Sequence, residues 1–243
     1  MSKKKPKLAP TCYLCNKRIE GEPISRDHVP PEQLYATVYK KKDIAKNLFT
    51  LQSHAACNTA FQHDEDYFVM SMGPLVGDSE TGKQLWEDMA RRMRRDRAAA
   101  LNQKIRDEFT VRSPGGIAAP PGKIFKKYDG DRIRKIVWKI VRGLFWKENS
   151  RFLPEQLHSR QIRIVSPHYP PRAEFEVLAG CPHKGQYGAV FDYKFRVAPE
   201  LNNFNYWGLL FWDRLIVTVA FHDPECPCDS CRAHRSGAPP QSK

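Results

Sequence analysis

Asp27-His28-Val29-Pro30-Pro31 is the stretch on which the reading of this chain turns. It lies between Cys12-x-x-Cys15 on one side and His54-x-x-Cys57-Asn58 on the other. Each outer pair offers soft ligands at the spacing that holds one edge of a tetrahedral zinc site while the intervening chain loops out. Zinc on Cys12, Cys15, His54 and Cys57 would therefore tie together the two ends of the segment carrying Asp27, His28 and Asn58. A carboxylate and an amide oxygen are hard donors that suit Mg²⁺ or Mn²⁺. An imidazole is the side chain best fitted to take a proton from water near neutral pH. In a strand, neighbours leave on opposite faces, so Asp27 and His28 reach one site only if the backbone bends, which Pro30-Pro31 makes plausible.

Cys12-x-x-Cys15, Asp27-His28-Val29-x-Pro31, Asn47-Leu48-x-x-Leu51 and then x-x-x-Cys57-Asn58, in that order, resemble the zinc-containing branch of the HNH endonuclease family. The resemblance covers roughly residues 10–68, about a quarter of the chain. It implies a ββα-metal fold, with His28 as general base, Asp27 and Asn58 holding one catalytic Mg²⁺ or Mn²⁺, and Asn47 bracing the loop that carries the base. His54 stands where the family more often has a fourth Cys, but Cys₃His is an ordinary structural zinc set. The implied activity is metal-dependent hydrolysis of DNA phosphodiester bonds. The alternatives are an RNA endonuclease and a non-catalytic, zinc-stabilised nucleic-acid-binding protein. The intact Asp27, His28 and Asn58 argue against the second, since a scaffold needs only the zinc ligands. Every Cys near a His is better explained as a metal ligand than as a nucleophile.

The formal charge of +13 over 243 residues attracts a polyanion, most simply nucleic acid, with an affinity that falls as salt rises. Apolar residues at 41% and aromatics at 11% argue for a packed core. No apolar run of 18 residues or more exists, so a membrane span is not expected. Seven cysteines, most of them in tight clusters, suit metal sites in a reducing, cytoplasmic setting better than disulfides. Oligomeric state is left open.

The fold class expected is α+β: an N-terminal ββα zinc module, central basic helices, and a C-terminal antiparallel β-rich region. The boundaries fall at 1–9 for a basic tail, 10–72 for the nuclease module and 73–125 for a helical basic connector. An α+β domain follows over 126–225, then a Cys-containing tail over 226–243. Short strands flank the Cys12/Cys15 knuckle with Asn16 in its turn, and Ser53 or His54 starts a helix that carries Asn58. His63, Asp64, Glu65 and Asp66 read as capping or solvated residues. Gly73-Pro74 and Gly77 mark a linker. A helix over 80–109 contains the run Arg91, Arg92, Arg94, Arg95, which points to phosphate contact.

After the break at 113–122, apolar residues at helical spacing make 131–148 the best helix, capped by Asp129 or Asp131. On it Arg132, Lys135, Lys139 and Arg142 share a second stripe, read either as a wet face or as a DNA contact. Alternation then places strands at 162–164, 175–177 and 191–197, and over 209–221 with a turn at Asp213-Arg214. The final cluster Cys226, Cys228, Cys231 and His234, with His222 as a spare donor, holds ligands enough for a second zinc. It reads instead as a flexible tail of reduced cysteines, because all four fall on one short segment.

Overall fold

A computed structural model of the chain describes residues 10–37, 39, 48–94, 98–111, 116, 120–122, 124–157, 160–165, 175–199 and 204–236. The basic tail 1–9, Asn47, Arg95, most of the 113–122 break, the His234 side chain and the last residues from 237 lie outside that description.

The N-terminal module opens with a knuckle. Cys12 N donates to Lys17 O and Asn16 N to Cys12 O, while Asn16 takes a left-handed φ of 59°, a conformation that asparagine tolerates. Thr11 and Arg18 form the single bridge that flanks it. Strands β1 (Ile24–His28) and β2 (Thr50–His54) pair antiparallel, with Asp27 opposite Leu51 and His28 opposite Thr50. Helix α1 (Ala55–Met72) follows β2 directly, with His54 at its N-cap. Its first turns carry Cys57 and Asn58 over the hairpin, and its last turns, Tyr67 to Met72, are buried on every side. This is the expected ββα order.

The stretch read as a linker is a packed 3₁₀ turn, Gly73–Val76, with its proline at the first turn where a missing N–H costs nothing. Gly73 is needed there because a Cβ would meet the Met89 sulfur. The helix expected over 80–109 is two helices, α2 (Glu80–Met93) and α3 (Ala99–Asp107), the first ending within the arginine run. Ser79 caps α2 by accepting from Gly82 N and also donates to Trp212 O. Two short strands, β3 (Phe109–Thr110) and β4 (Phe125–Lys126), pair across the 113–122 break.

Helix α4 (Gly130–Asn149) starts on Asp129, whose side chain accepts from Arg132 N, and ends on Ser150 in the left-handed region. Every residue from Ile136 to Phe145 is buried, so α4 is a core helix rather than an amphipathic surface one. Gly143 is small because Val29 packs against it: a Cβ would sit 2.6 Å from a Val29 methyl. The residue that follows His28 is thereby seated on α4.

The C-terminal sheet has the order β5-β8-β7-β6 and is antiparallel throughout: β5 (Arg160–Val165), β6 (Phe191–Ala198), β7 (Phe204–Phe211) and β8 (Leu215–Phe221). Trp212 and Asp213 turn the β7–β8 hairpin with positive φ, one residue ahead of the turn read from Asp213-Arg214. The strand expected at 175–177 is absent: Phe175 and Glu176 form a helical turn, with Leu178 N donating back to Phe175 O. Phe175 and Val177 alternate as in a strand, but two residues are too short a pattern to separate from a turn. Helix α5 (Asp229–Arg235) closes the described chain.

One hydrophobic cluster runs from Tyr13 and Leu14 through Phe68, Met89 and Ile140 to Trp207, Phe211 and Phe221, across the boundaries expected at 72/73 and 125/126. Burying each such side chain is worth about 1.5–3 kcal/mol. Trp212 locks the parts together, as its Nε1 donates to Leu34 O just beyond the Asp27–Pro31 loop and its ring packs on Phe68. The architecture is α+β. Among the described residues no helix is long and apolar enough to cross a membrane.

Candidate metal centre and catalytic site

The four ligands read from the sequence come together. One donor atom from each of Cys12, Cys15, His54 and Cys57 lies within 4.8 Å of the others. His54 Nδ1 is 3.3 Å from Cys15 Sγ and 3.7 Å from Cys57 Sγ. Adjacent nitrogen and sulfur ligands on a tetrahedral zinc stand about 3.6 Å apart, from bonds of about 2.1 and 2.3 Å. The other ring nitrogen, Nε2, faces Arg18 O at 3.3 Å and Glu22 Oε2 at 3.6 Å. A carbonyl and a carboxylate on the far nitrogen are the partners that orient a ligating histidine. Burial, then the neighbouring Cys12 and Cys15 sulfurs, push the Cys57 thiol up to about 12. Sulfurs so crowded favour a cation among them. The cluster is compatible with structural zinc.

Beside it, Asp27 is buried at the end of β1. Its Oδ2 accepts from the Tyr13 hydroxyl at 2.5 Å and meets the Lys139 ammonium at 2.8 Å. Lys139, itself 1% exposed, reaches on to Glu65. Burial and then the Asp27 charge hold the Tyr13 hydroxyl well above its ordinary range, so it keeps the proton it donates. Burial likewise raises Glu65 above the usual carboxylate range despite Lys139. Both contacts fall on Oδ2, which leaves Oδ1 turned towards Asn58.

Asn58 has one arm of its amide 2.9 Å from Ser25 Oγ and the other 3.1 Å from Asp27 Oδ1 and 3.3 Å from Oδ2. With the nitrogen facing Asp27 the amide hydrogen-bonds the carboxylate. With the oxygen facing it, two hard donors stand side by side. Adjacent ligands on an octahedral Mg²⁺ or Mn²⁺ are about 3 Å apart, from bonds of about 2.1 Å. A half-turn of the amide exchanges the two arrangements. The 3.1 Å separation is that of a hydrogen bond between the amide and the carboxylate.

His28 leaves β1 on the other face and is half-buried, with Nδ1 3.9 Å from Glu32 Oε2. The fold brings Asp27 and Asn58 into contact, while His28 stands one residue on, at the rim.

Lys139 and Arg142 of the second stripe are buried, which corrects Lys139 as a nucleic-acid contact, while Lys135 is exposed. Arg132 and Lys135 hold Asp64, each at 2.6 Å, Lys139 holds Asp27 and Glu65, and Arg142 donates to Leu14 O at 2.7 Å and Leu153 O at 3.0 Å. The stripe is the seam by which α4 clasps α1 and the knuckle. Asp64 and Glu65 are accordingly ion-pair partners rather than solvated residues, and Lys135 keeps an exposed flank. Sequence reading missed Tyr13 and the inward role of Lys139. The signal was present: Lys139 and Arg142 interrupt an apolar run from Ile136 to Phe145, where a charge has to find a buried partner.

The arginine run ends α2. Arg91 is paired with Asp88 across one turn, and Arg94 is exposed in the turn that follows.

The C-terminal cysteines do not form a loose tail. His222, Cys226, Cys228 and Cys231 bring one donor atom each within 4.8 Å, a second Cys/His cluster compatible with zinc. His222 supplies the imidazole from the end of β8. The sequence reading had placed His234 in the set and kept His222 in reserve.

No protein-family model matches this chain, and the comparisons found neither a curated protein nor a solved structure similar to it.

Proposed function

We propose that this protein is a metal-dependent endonuclease of the HNH type acting on DNA. The observation that carries the reading is the apposition of Asp27 Oδ1 and the Asn58 amide at 3.1 Å, on a ββα unit whose next residue is a half-buried histidine. Asp27 and Asn58 would hold the divalent cation. Its contribution when bound is relief of charge at the scissile phosphate and the departing 3′ oxygen. In this reading His28 takes the proton of the attacking water, which requires the end of β1 to turn its ring from the opposite face towards Asp27. Tyr13 and Lys139 hold Oδ2 of the Asp27 carboxylate, so that Oδ1 faces Asn58. The zinc ligands hold the start of α1, and with it Asn58, against β1. The formal charge of +13 supplies a general attraction for the polyanion.

The test is purified protein with supercoiled plasmid and Mg²⁺, Mn²⁺ or EDTA, beside the His28→Ala variant. Nicking or linearisation that needs the metal and His28 supports the reading. Metal-independent cutting, or none on DNA or structured RNA, overturns it. One observation favours a binding protein without catalysis: the Lys139 ammonium already neutralises Asp27. Plasmid binding without cleavage in any metal would select that reading, and cleavage of RNA alone would change the substrate.

Lys139 gives a prediction of its own. Lys139→Met leaves Asp27 and Glu65 buried without their cation, a loss of roughly 3–5 kcal/mol. A divalent cation on Asp27 replaces part of that charge. Mn²⁺ is therefore expected to raise the melting temperature of Lys139→Met by several degrees more than that of the unaltered protein. Equal shifts in both would mean that no cation reaches Asp27.

Charge reversal of Arg94 and Arg95 tests the basic run while sparing the Arg91–Asp88 pair. DNA affinity should fall for all sequences alike, and the slope of log K against log salt should flatten by about 1–2. An unchanged slope would move the phosphate contacts elsewhere.

A further inference from the structure

We propose that the chain carries a second structural zinc, held by His222, Cys226, Cys228 and Cys231, which clips the last helix to the end of the last strand. The four donor atoms converge within 4.8 Å, as in the knuckle cluster, and the donor set is again Cys₃His. His222 Nδ1 is 3.2 Å from Cys226 Sγ and 3.7 Å from Cys228 Sγ. Those separations bracket the roughly 3.6 Å between neighbouring nitrogen and sulfur ligands on tetrahedral zinc.

The objection that one short segment cannot close around an ion fails on the topology. His222 follows β8 directly, Cys226 and Cys228 lie in the turn, and Cys231 sits on α5, so the ligands join a strand end to a helix. Burial agrees: Cys226 and Cys231 are buried, which an untethered tail would not achieve.

The surroundings are built to hold this loop. The His222 ring meets the Phe204 ring edge-on at 5.4 Å, which fixes its plane against the start of β7. Arg151 Nη2 donates to Asp223 Oδ2 at 2.6 Å. Arg235, near the end of α5, donates to Pro224 O and Cys226 O, each at 2.8 Å, closing the helix back over the turn. A seven-residue helix is too short to stand alone. A metal at its first turn supplies what its length does not.

The experiment counts metal on the full chain. Protein refolded with excess zinc and desalted should hold two zinc per chain, Cys228→Ser one, and Cys57→Ser at most one. Cobalt substitution of the unaltered protein gives a measure independent of any variant's folding, because thiolate-to-cobalt charge-transfer intensity follows the thiolate count. Six thiolates are expected for two filled clusters and three for one. Limited trypsin digestion reads the clip itself: cleavage at Arg232 and Arg235 should quicken about tenfold or more in Cys228→Ser, since the opened form becomes populated. One zinc per chain with three-thiolate cobalt intensity would overturn the proposal. So would a mass showing a disulfide among Cys226, Cys228 and Cys231, or a Cys228→Ser protein that keeps two zinc and full protection. The counts do not depend on nuclease activity, so failure here leaves the endonuclease reading untouched.

Discussion

His28→Ala is expected to lower the cleavage rate by about 10²–10⁴-fold, the share of a rate that a positioned general base supplies. DNA affinity and melting temperature should scarcely change. The His28 ring is half-buried at the end of β1, and its ion-pair contact is Glu32 at 3.9 Å, a separation that contributes little. The variant therefore removes a base while leaving the zinc ligands, the Asp27–Lys139 pair and the Val29–Gly143 packing in place. Imidazole added to the assay should restore part of the rate, because a small base can enter the space that the ring leaves at the accessible rim.

Asp27 needs a gentler change. Asp27→Ala would strand Lys139 beside Glu65 alone, and its loss of activity would be confounded with instability. Asp27→Asn keeps acceptors for Tyr13 and Lys139 and removes the charge that a cation requires. Its activity loss should be relieved in part by raised Mn²⁺, whereas that of His28→Ala should not. Unimpaired cleavage in His28→Ala would remove histidine from the mechanism. Equal rescue of both variants by Mn²⁺ would mean that they act through one metal site rather than as base and ligand.

The knuckle, hairpin and helix were legible because their signals are local. Two cysteines three apart in sequence, a proline pair that ends a strand and a His-x-x-Cys at a helix start each act over a few residues. The long helix of α4 was equally plain, since its apolar period extends over more than three turns, from Ile133 to Phe145. What the sequence did not disclose is what faces what. Arg132, Lys135, Lys139 and Arg142 form a stripe on any helical reading, but only the packing of α4 against α1 and the knuckle shows that Lys139 and Arg142 look inwards. The same holds for the last cysteines. His234 is nearer to Cys231 in sequence than His222 is, but the end of β8 returns His222 to Cys226. Tyr13 lies two residues before Cys15, and nothing local marks it as the partner of an aspartate fourteen residues on.

Loss of the knuckle zinc is expected to have the largest effect on stability. Structural zinc sites of this type contribute apparent binding free energies of about 10–16 kcal/mol near pH 7, as much as the whole stability of many domains, about 5–15 kcal/mol. Cys57→Ser should therefore leave the N-terminal module unfolded at 25 °C rather than merely lower its melting temperature. The damage should also spread. Tyr13 and Leu14 belong to the same buried cluster as Phe68 and Phe211, and Arg142 on α4 donates to Leu14 O. Without the knuckle that buried guanidinium loses one of its two carbonyl partners, keeping Leu153 O, a loss of roughly 1.5–3 kcal/mol for a charged donor. Circular dichroism and trypsin digestion of the full chain measure the outcome, with a zinc chelator applied to the unaltered protein as the parallel arm. Loss of the α1 signal and rapid cleavage within 10–72 are expected in both. If Cys57→Ser melts within a few degrees of the unaltered protein, the four residues are a thiol cluster that the fold does not need. The zinc would then have no part in holding Asn58 against Asp27.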